Sequence, residues 1–128
     1  MSALLPAGTV FASLADLPDG ATRGFDLNDD EWPLRGFLVR VGDVVHAYLN
    51  RCPHAGRPLN FLPDRFLSPD GELIQCVAHG ALFEKDSGLC IAGPCVDDSL
   101  KRIAVVLVDG EVRLAEDLDT ERLARSPW

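Results

Sequence analysis

Short turn signals recur along this chain and favour brief strands over helices. Asp-Gly, Gly-Asp or Ser-Gly pairs stand at residues 19–20, 42–43, 70–71, 87–88 and 109–110, and the runs between them are apolar or alternating. Gly and Asp readily adopt the positive φ angles that tight hairpin turns need. Because this rhythm is typical of antiparallel sheets, we predict an all-β fold, a sandwich or a small barrel.

Two hairpins are predicted most clearly. Phe37–Val41 and Val44–Leu49 flank the turn at residues 42–43, and the segment 100–115 turns at Asp109-Gly110. Weaker strand signals cover Val10–Leu14 and Gly24–Leu27, and short runs on either side of the second Cys/His pair, Glu72–Cys76 and Ala81–Glu84, complete the set. The length of 128 residues fits one domain, 1–128, with a charged tail at about 116–128 that contains a short helix.

Composition excludes several function classes. The formal net charge of −8 argues against nucleic acid or an anionic membrane as a partner. The N-terminal stretch lacks the basic region of a secretory signal, and no apolar run reaches the roughly 20 residues of a membrane span. We therefore expect a cytoplasmic protein whose four cysteines serve metal or redox chemistry rather than structural disulfides.

The scarce reactive residues form two mixed pairs, Cys52-x-His54 and Cys76-x-x-His79, on predicted loops at about 50–58 and 75–83. Thiolate and neutral imidazole both bind soft or borderline metals. A structural zinc site usually segregates its cysteines and histidines into separate pairs. A two-iron cluster explains the mixing better, because each loop can give its Cys to one iron and its His to the other.

The motifs "CPHAGRPL", "QCVAHGALF" and "SGLCIAGPC" resemble a Rieske iron–sulfur domain from about residue 37 to residue 114. The resemblance implies an antiparallel β-sandwich with a cluster-binding subdomain at one end and one [2Fe–2S] cluster per chain. It also assigns roles to single residues in three loops, the third at about 90–96. Cys52 and Cys76 would hold the inner iron, His54 and His79 the outer iron, and Gly93 and Pro94 would shield the cluster.

Departures from the respiratory members of that family point to the ferredoxin-like class. Arg57 and Ala78 stand where those members carry a disulfide between the loops, and Ala81 and Phe83 stand where they carry hydroxyls near the cluster sulfurs. Hydrogen bonds to the sulfurs raise the potential, so their absence predicts a value near the low end of the Rieske range, roughly −150 mV. The spacer between His54 and Cys76 is interpreted as a loop insertion.

The resulting hypothesis is a one-electron carrier between a reductase and a terminal oxidoreductase such as an oxygenase, docking through a basic partner surface. It is not expected to be catalytic itself. After the cluster takes two histidines only His46 remains, interpreted as an ordinary strand histidine, so a mononuclear iron site cannot be built. Two alternatives stay open: a regulatory or redox-sensing subunit resembling the Rieske-like partner of nitrite reductase, and a structural zinc module. Cys90 and Cys95 are interpreted as packing residues, with a disulfide as the alternative.

Overall fold

The computed structural model describes residues 4–28, 34–53, 58–60, 62, 64–77 and 80–125. Within these ranges the chain forms short antiparallel strands, one 3₁₀ turn at Leu14–Asp16 and one helix, α1, at Thr120–Arg125. The first strands are β1 Leu4–Leu5, β2 Val10–Ser13, β3 Thr22–Asp26, β4 Arg35–Val41, β5 Val44–Leu49 and β6 Ile74–Gln75. The later ones are β7 Leu82–Phe83, β8 Cys90–Ala92, β9 Arg102–Ile103, β10 Val105–Val108, β11 Glu111–Leu114 and β12 Leu118–Asp119.

Four antiparallel sheets result, with strand orders β1-β12, β10-β11-β2, β3-β4-β5-β9 and β6-β7-β8. The predicted hairpin of β4 and β5 is confirmed, and the predicted turn at residues 109–110 joins β10 to β11. At the second hairpin Asp109 and Gly110 have φ angles of 53° and 77°, as the turn chemistry requires. The short helix predicted in the tail is also confirmed. No helix in the described part of the chain is long and apolar enough to cross a membrane.

The sheet β3-β4-β5-β9 is shared by two hydrophobic cores. Side chains alternate between the two faces of a strand. Phe37 and Val39 of β4 accordingly join one core, whereas Leu38 between them joins the other. Tyr48 of β5 lies in the first core and its neighbour Ala47 in the second. The first core contains all four cysteines, so we call it the cysteine core; the second packs against β2 and β11.

The structure corrects the sequence prediction in two places. The segment 100–115 is not one hairpin, because Arg102–Ile103 pairs with β5 and only the residues from Val105 onward pair with β11. Residues 90–92, predicted as part of the third loop, form β8 and pair with β7. A Gly-flanked three-residue strand carries too little periodicity to be recognised in the sequence.

The spacer between the two Cys/His pairs packs against the central sheet. The Asp64 side chain accepts a 2.7 Å hydrogen bond from the Gly24 amide of β3, and the Asp64 carbonyl accepts one of 2.6 Å from the Thr22 hydroxyl. Phe66 enters the cysteine core and stacks on Phe37 with ring centroids 4.3 Å apart. This part of the insertion is therefore integral to the fold.

Candidate metal centre

Three loops converge beside the cysteine core, and each is fixed by backbone hydrogen bonds. The first follows β5, the second joins β6 to β7, and the third follows β8. The predicted ligands Cys52 and Cys76 are 0% and 1% exposed and belong to the same buried cluster. The predicted ligands His54 and His79 lie outside the described residues, so the four-ligand set stays a prediction.

Asn50 holds the first loop closed. Its side-chain oxygen accepts a 2.8 Å hydrogen bond from the Leu59 amide, and its side-chain nitrogen donates one of 2.9 Å to Asn60. The Asn50 amide in turn donates to the Arg35 carbonyl of β4 at 2.8 Å. One side chain therefore joins the residues before Cys52 to those that follow the loop.

The second loop is a tight connection at the end of β6. The Cys76 amide donates to the Ala81 carbonyl at 2.9 Å, and the Gly80 amide donates to the Cys76 carbonyl at 2.8 Å. Gly80 has a φ of 73°, in the left-handed region that favours glycine. The Val77 amide donates to the Leu59 carbonyl at 2.9 Å, which ties this loop to the first.

The third loop packs directly on the second through Gly93. Gly93 has a φ of +96°, and a Cβ at this position would lie 2.8 Å from the Ala81 Cα and 3.2 Å from its nitrogen. No other residue fits so close to backbone, since real Cβ atoms do not approach to that distance. Pro94 follows on the exposed side of the loop. These contacts agree with a shielding loop, although the shielding role itself stays a prediction.

Cys90 and Cys95, 1% and 3% exposed, face each other across this third loop. The Cys95 thiol donates to the Cys90 sulfur at 3.0 Å, and the Cys90 thiol donates to the Ala92 carbonyl at 3.2 Å. None of the four cysteines forms a disulfide. Burial is the main cause that raises the pKa of the Cys95 thiol, and hydrogen bonds and charge interactions with Cys90 and Cys52 add to it.

The donor set suits a thiolate-ligated metal group. Cys52 and Cys76 bring two soft ligands into one water-poor core, and both precede loops that reach the surface. Among the described residues there is no group of three or more His, Cys, Asp or Glu side chains that could hold a metal ion. The other two predicted ligands stand at positions 54 and 79, outside the described residues.

His46 lies on β5, opposite Val39 of β4. Burial lowers its pKa, the Arg102 charge lowers it further, and Asp86 partly offsets both. This environment fits the predicted role as a strand histidine.

One residue that shapes this region, Asn50, could not be singled out from the sequence. Asn50 carried no signal except its place two residues before a cysteine, because one asparagine in a loop is common.

Comparisons with known proteins identify the family and the structural relatives of the chain. A family model described as the Rieske [2Fe-2S] domain matches residues 9–115. No curated protein sequence gives a significant match. Among solved structures, the chain is similar to the ferredoxin of carbazole 1,9a-dioxygenase from Nocardioides aromaticivorans IC177, at 28% identity and a TM-score of 0.65, covering 85% of this chain and 97% of that one.

Two further structures share the fold at lower identity. The Sphingomonas yanoikuyae B1 ferredoxin has 23% identity and a TM-score of 0.64, with 85% of this chain and 98% of that chain covered. The terminal oxygenase of carbazole 1,9a-dioxygenase from Novosphingobium sp. KA1 has 23% identity and a TM-score of 0.66, with 88% of this chain but 29% of that chain covered. The predicted β-sandwich of the ferredoxin-like class is thereby confirmed.

Proposed function

Since the chain belongs to the Rieske [2Fe–2S] domain family, we propose that it is a one-electron carrier that passes electrons from a reductase to a terminal oxygenase. The observation that carries the proposal is the convergence of three hydrogen-bonded loops on a core that holds Cys52 and Cys76. The near-complete coverage of a dioxygenase ferredoxin at 28% identity supports the carrier role.

In this proposal Cys52 and Cys76 bind the inner iron, and His54 and His79 bind the outer iron. A [2Fe–2S] cluster, when bound, accepts and releases a single electron. The contribution of the chain is to exclude water around the two thiolates and to hold the loops rigid, because a site that does not rearrange transfers electrons with little reorganisation. Asn50 and the Val77–Leu59 hydrogen bond supply that rigidity.

The proposed docking surface is the end of the molecule formed by the second and third loops. Val77, Ile91 and Val96 are large apolar side chains that stay 45%, 46% and 51% exposed there. Asp97 and Asp98, which follow Val96 in the chain, are exposed as well. An apolar centre with acidic neighbours suits a partner whose own surface is basic, in line with the net charge of −8.

The ligand set is tested by comparing Cys76→Ser with Cys90→Ser, two substitutions at buried cysteines of which only the first removes a proposed ligand. We expect wild type and Cys90→Ser to show, after reduction with dithionite, an electron paramagnetic resonance spectrum whose average g lies below that of all-cysteine ferredoxins. Cys76→Ser should lose it. A normal spectrum in Cys76→Ser, or a colourless zinc protein made with iron and sulfide available, would contradict the proposal.

The carrier role needs a separate assay. Stopped-flow mixing of the reduced protein with an oxidised Rieske oxygenase should show rapid reoxidation, and the rate should fall steeply with ionic strength because docking is electrostatic. The double variant Asp97→Asn/Asp98→Asn should slow the reaction at low salt, whereas Asp109→Asn, in the β10–β11 turn, should not. Equal rates for both variants would refute the docking surface while leaving the ligand set intact.

A further inference from the structure

Cys90 and Cys95 have no place in the proposed ligand set, and together they form a pair of buried thiols. Cys90 is the first residue of β8, and Cys95 follows Pro94 in the third loop. Their sulfur atoms lie 3.0 Å apart, and both side chains are buried. Buried free cysteine usually packs as a small apolar residue. Packing alone does not require two sulfurs to meet, so the pair can carry chemistry of its own.

The backbone holds the two cysteines opposite each other. The Cys90 amide donates to the Asp98 carbonyl at 2.8 Å, and the Asp97 amide donates back to the Cys90 carbonyl at 3.2 Å. The Asp98 amide donates to the Cys95 carbonyl at 2.9 Å, which closes the turn after Cys95. The sulfurs of a disulfide are about 2.05 Å apart, so the two sulfurs need to approach by only roughly 1 Å to form one.

The third loop covers the two thiols with a single layer of residues. Cys95 is the one buried residue between Ile91 and Ser99, and its neighbours Pro94 and Val96 are exposed. Thiolate, not thiol, reacts with oxidants, and a buried thiol forms little thiolate. The pair is therefore protected while the loop stays closed, and it becomes reactive when the loop opens locally, an event that needs little free energy in exposed segments.

We propose that Cys90 and Cys95 are a redox-active pair that a peroxide oxidises to a disulfide and that a small thiol compound reduces again. The disulfide joins β8 to the residue after Pro94, and it restrains the segment in which Gly93 packs on Ala81. The proposal does not depend on the metal group, because neither cysteine belongs to the proposed ligand set.

The oxidation takes two steps. The Cys90 thiolate attacks one oxygen of hydrogen peroxide, the O–O bond breaks, and a sulfenic acid and one water form. The Cys95 sulfur then attacks the sulfenic sulfur, the S–S bond forms, the S–O bond breaks, and a second water leaves. The pair loses two electrons and two protons, and the peroxide takes up both. Cys90 is expected to react first, because the Cys95 thiol donates to its sulfur and stabilises negative charge there.

Reduction reverses the balance. Two molecules of a monothiol, or one dithiol, break the S–S bond by thiol–disulfide exchange and become the new disulfide themselves. Both cysteines regain their protons.

The first test locates the disulfide in the wild-type protein. Trypsin cleaves after Lys85 and Lys101, so one peptide, 86–101, contains Cys90 and Cys95 and neither of the other two cysteines. The protein is treated with hydrogen peroxide, alkylated in denaturant, digested and analysed by mass spectrometry. We expect this peptide to carry no alkyl group, to lack two hydrogens, and to regain both thiols with dithiothreitol. Two alkylated thiols, irreversible oxygen adducts, or a disulfide to another peptide would overturn the proposal.

The second test examines the order of the steps. In Cys95→Ser the sulfenic acid at Cys90 has no thiol to capture it, so dimedone should trap it as an adduct. Wild type should give at least roughly tenfold less adduct, because capture within the molecule competes with trapping. The matched control Cys90→Ser should give little adduct at Cys95. Equal yields in wild type and Cys95→Ser would overturn the proposal, and an adduct mainly at Cys95 in the control would overturn the assignment of the first step.

The third test measures the loop itself. Amide hydrogen exchange in peptides from residues 86–101 should slow at least about threefold when the disulfide forms, because the cross-link removes open conformations. Peroxide-treated Cys95→Ser is the control and should show no slowing. Equal exchange in oxidised and reduced wild type would refute closure of the loop. All three tests measure thiols or amides and not electron transfer, so their failure would leave the proposed function untouched.

Discussion

Gly93→Ala tests whether contact between the second and third loops stabilises the protein. Two costs can be estimated from the structure. A residue with a side chain at a φ of +96° pays about 1–2 kcal/mol for the left-handed backbone. The new Cβ would also lie 2.8 Å from the Ala81 Cα, and relieving such overpacking costs about 1–3 kcal/mol. The expected loss in the free energy of unfolding is therefore about 2–5 kcal/mol.

Gly8→Ala is a matched control, because Gly8 has a φ of +90° and no atom within 4 Å of the position its Cβ would take. It should lose only the backbone part, about 1–2 kcal/mol. Both substitutions restrict the unfolded chain equally, so this contribution cancels in the difference between them. Urea unfolding of both variants with unchanged m-values gives that difference. Equal losses would show that the loops do not press on each other and would refute the packing argument.

Three further predictions concern the spacer, the first loop and the strand histidine. Phe66→Ala should lower the free energy of unfolding, measured in urea, by about 3–5 kcal/mol, because Phe66 is buried. Leu62 is 56% exposed in the same spacer, so Leu62→Ala should change it by no more than about 0.5 kcal/mol. Similar losses in the two variants would contradict an integral role for the spacer. Asn50→Ala should cost about 1–3 kcal/mol because it leaves the buried Leu59 amide without its acceptor, and an unchanged unfolding midpoint would show that the loop closes without it. The lowered pKa of His46 means that the unfolded state binds a proton at this residue more tightly than the folded state, so stability is lost as pH falls below about 6.5. The urea midpoint of His46→Gln should therefore decline less than that of wild type between about pH 7.5 and pH 5.5. An identical decline in the two proteins would refute this.

The parts of the fold that could be predicted are those with local signals. The β10–β11 turn requires two consecutive residues with positive φ, and Asp109-Gly110 is a pair that favours such a turn. The cluster-binding motifs likewise placed Cys52 and Cys76 beside loops, because each motif is a short run of neighbouring residues. In contrast, β9 was merged with β10, because the partner of Arg102–Ile103 is β5, more than fifty residues earlier in the chain.

The same limit explains what was missed in the candidate site. The sequence marked Cys90 and Cys95 as a pair, but their place in the same buried cluster as Cys52 and Cys76 depends on tertiary packing. The spacer was recognised as an insertion, yet its hydrogen bonds to β3 and the stacking of Phe66 on Phe37 are tertiary contacts without a periodic signature.

The alternation of Leu38 and its neighbours between two cores links the metal centre to the remote side of the molecule. A strand whose successive side chains belong to different cores cannot leave one core and stay in the other, so the cores are expected to unfold as one cooperative unit. Free energy released when a cluster binds to the loops is then shared by the whole unit. β11 contributes no residue to the loops. Its amide hydrogens should nevertheless exchange more slowly when the cluster binds and faster again when the cluster dissociates.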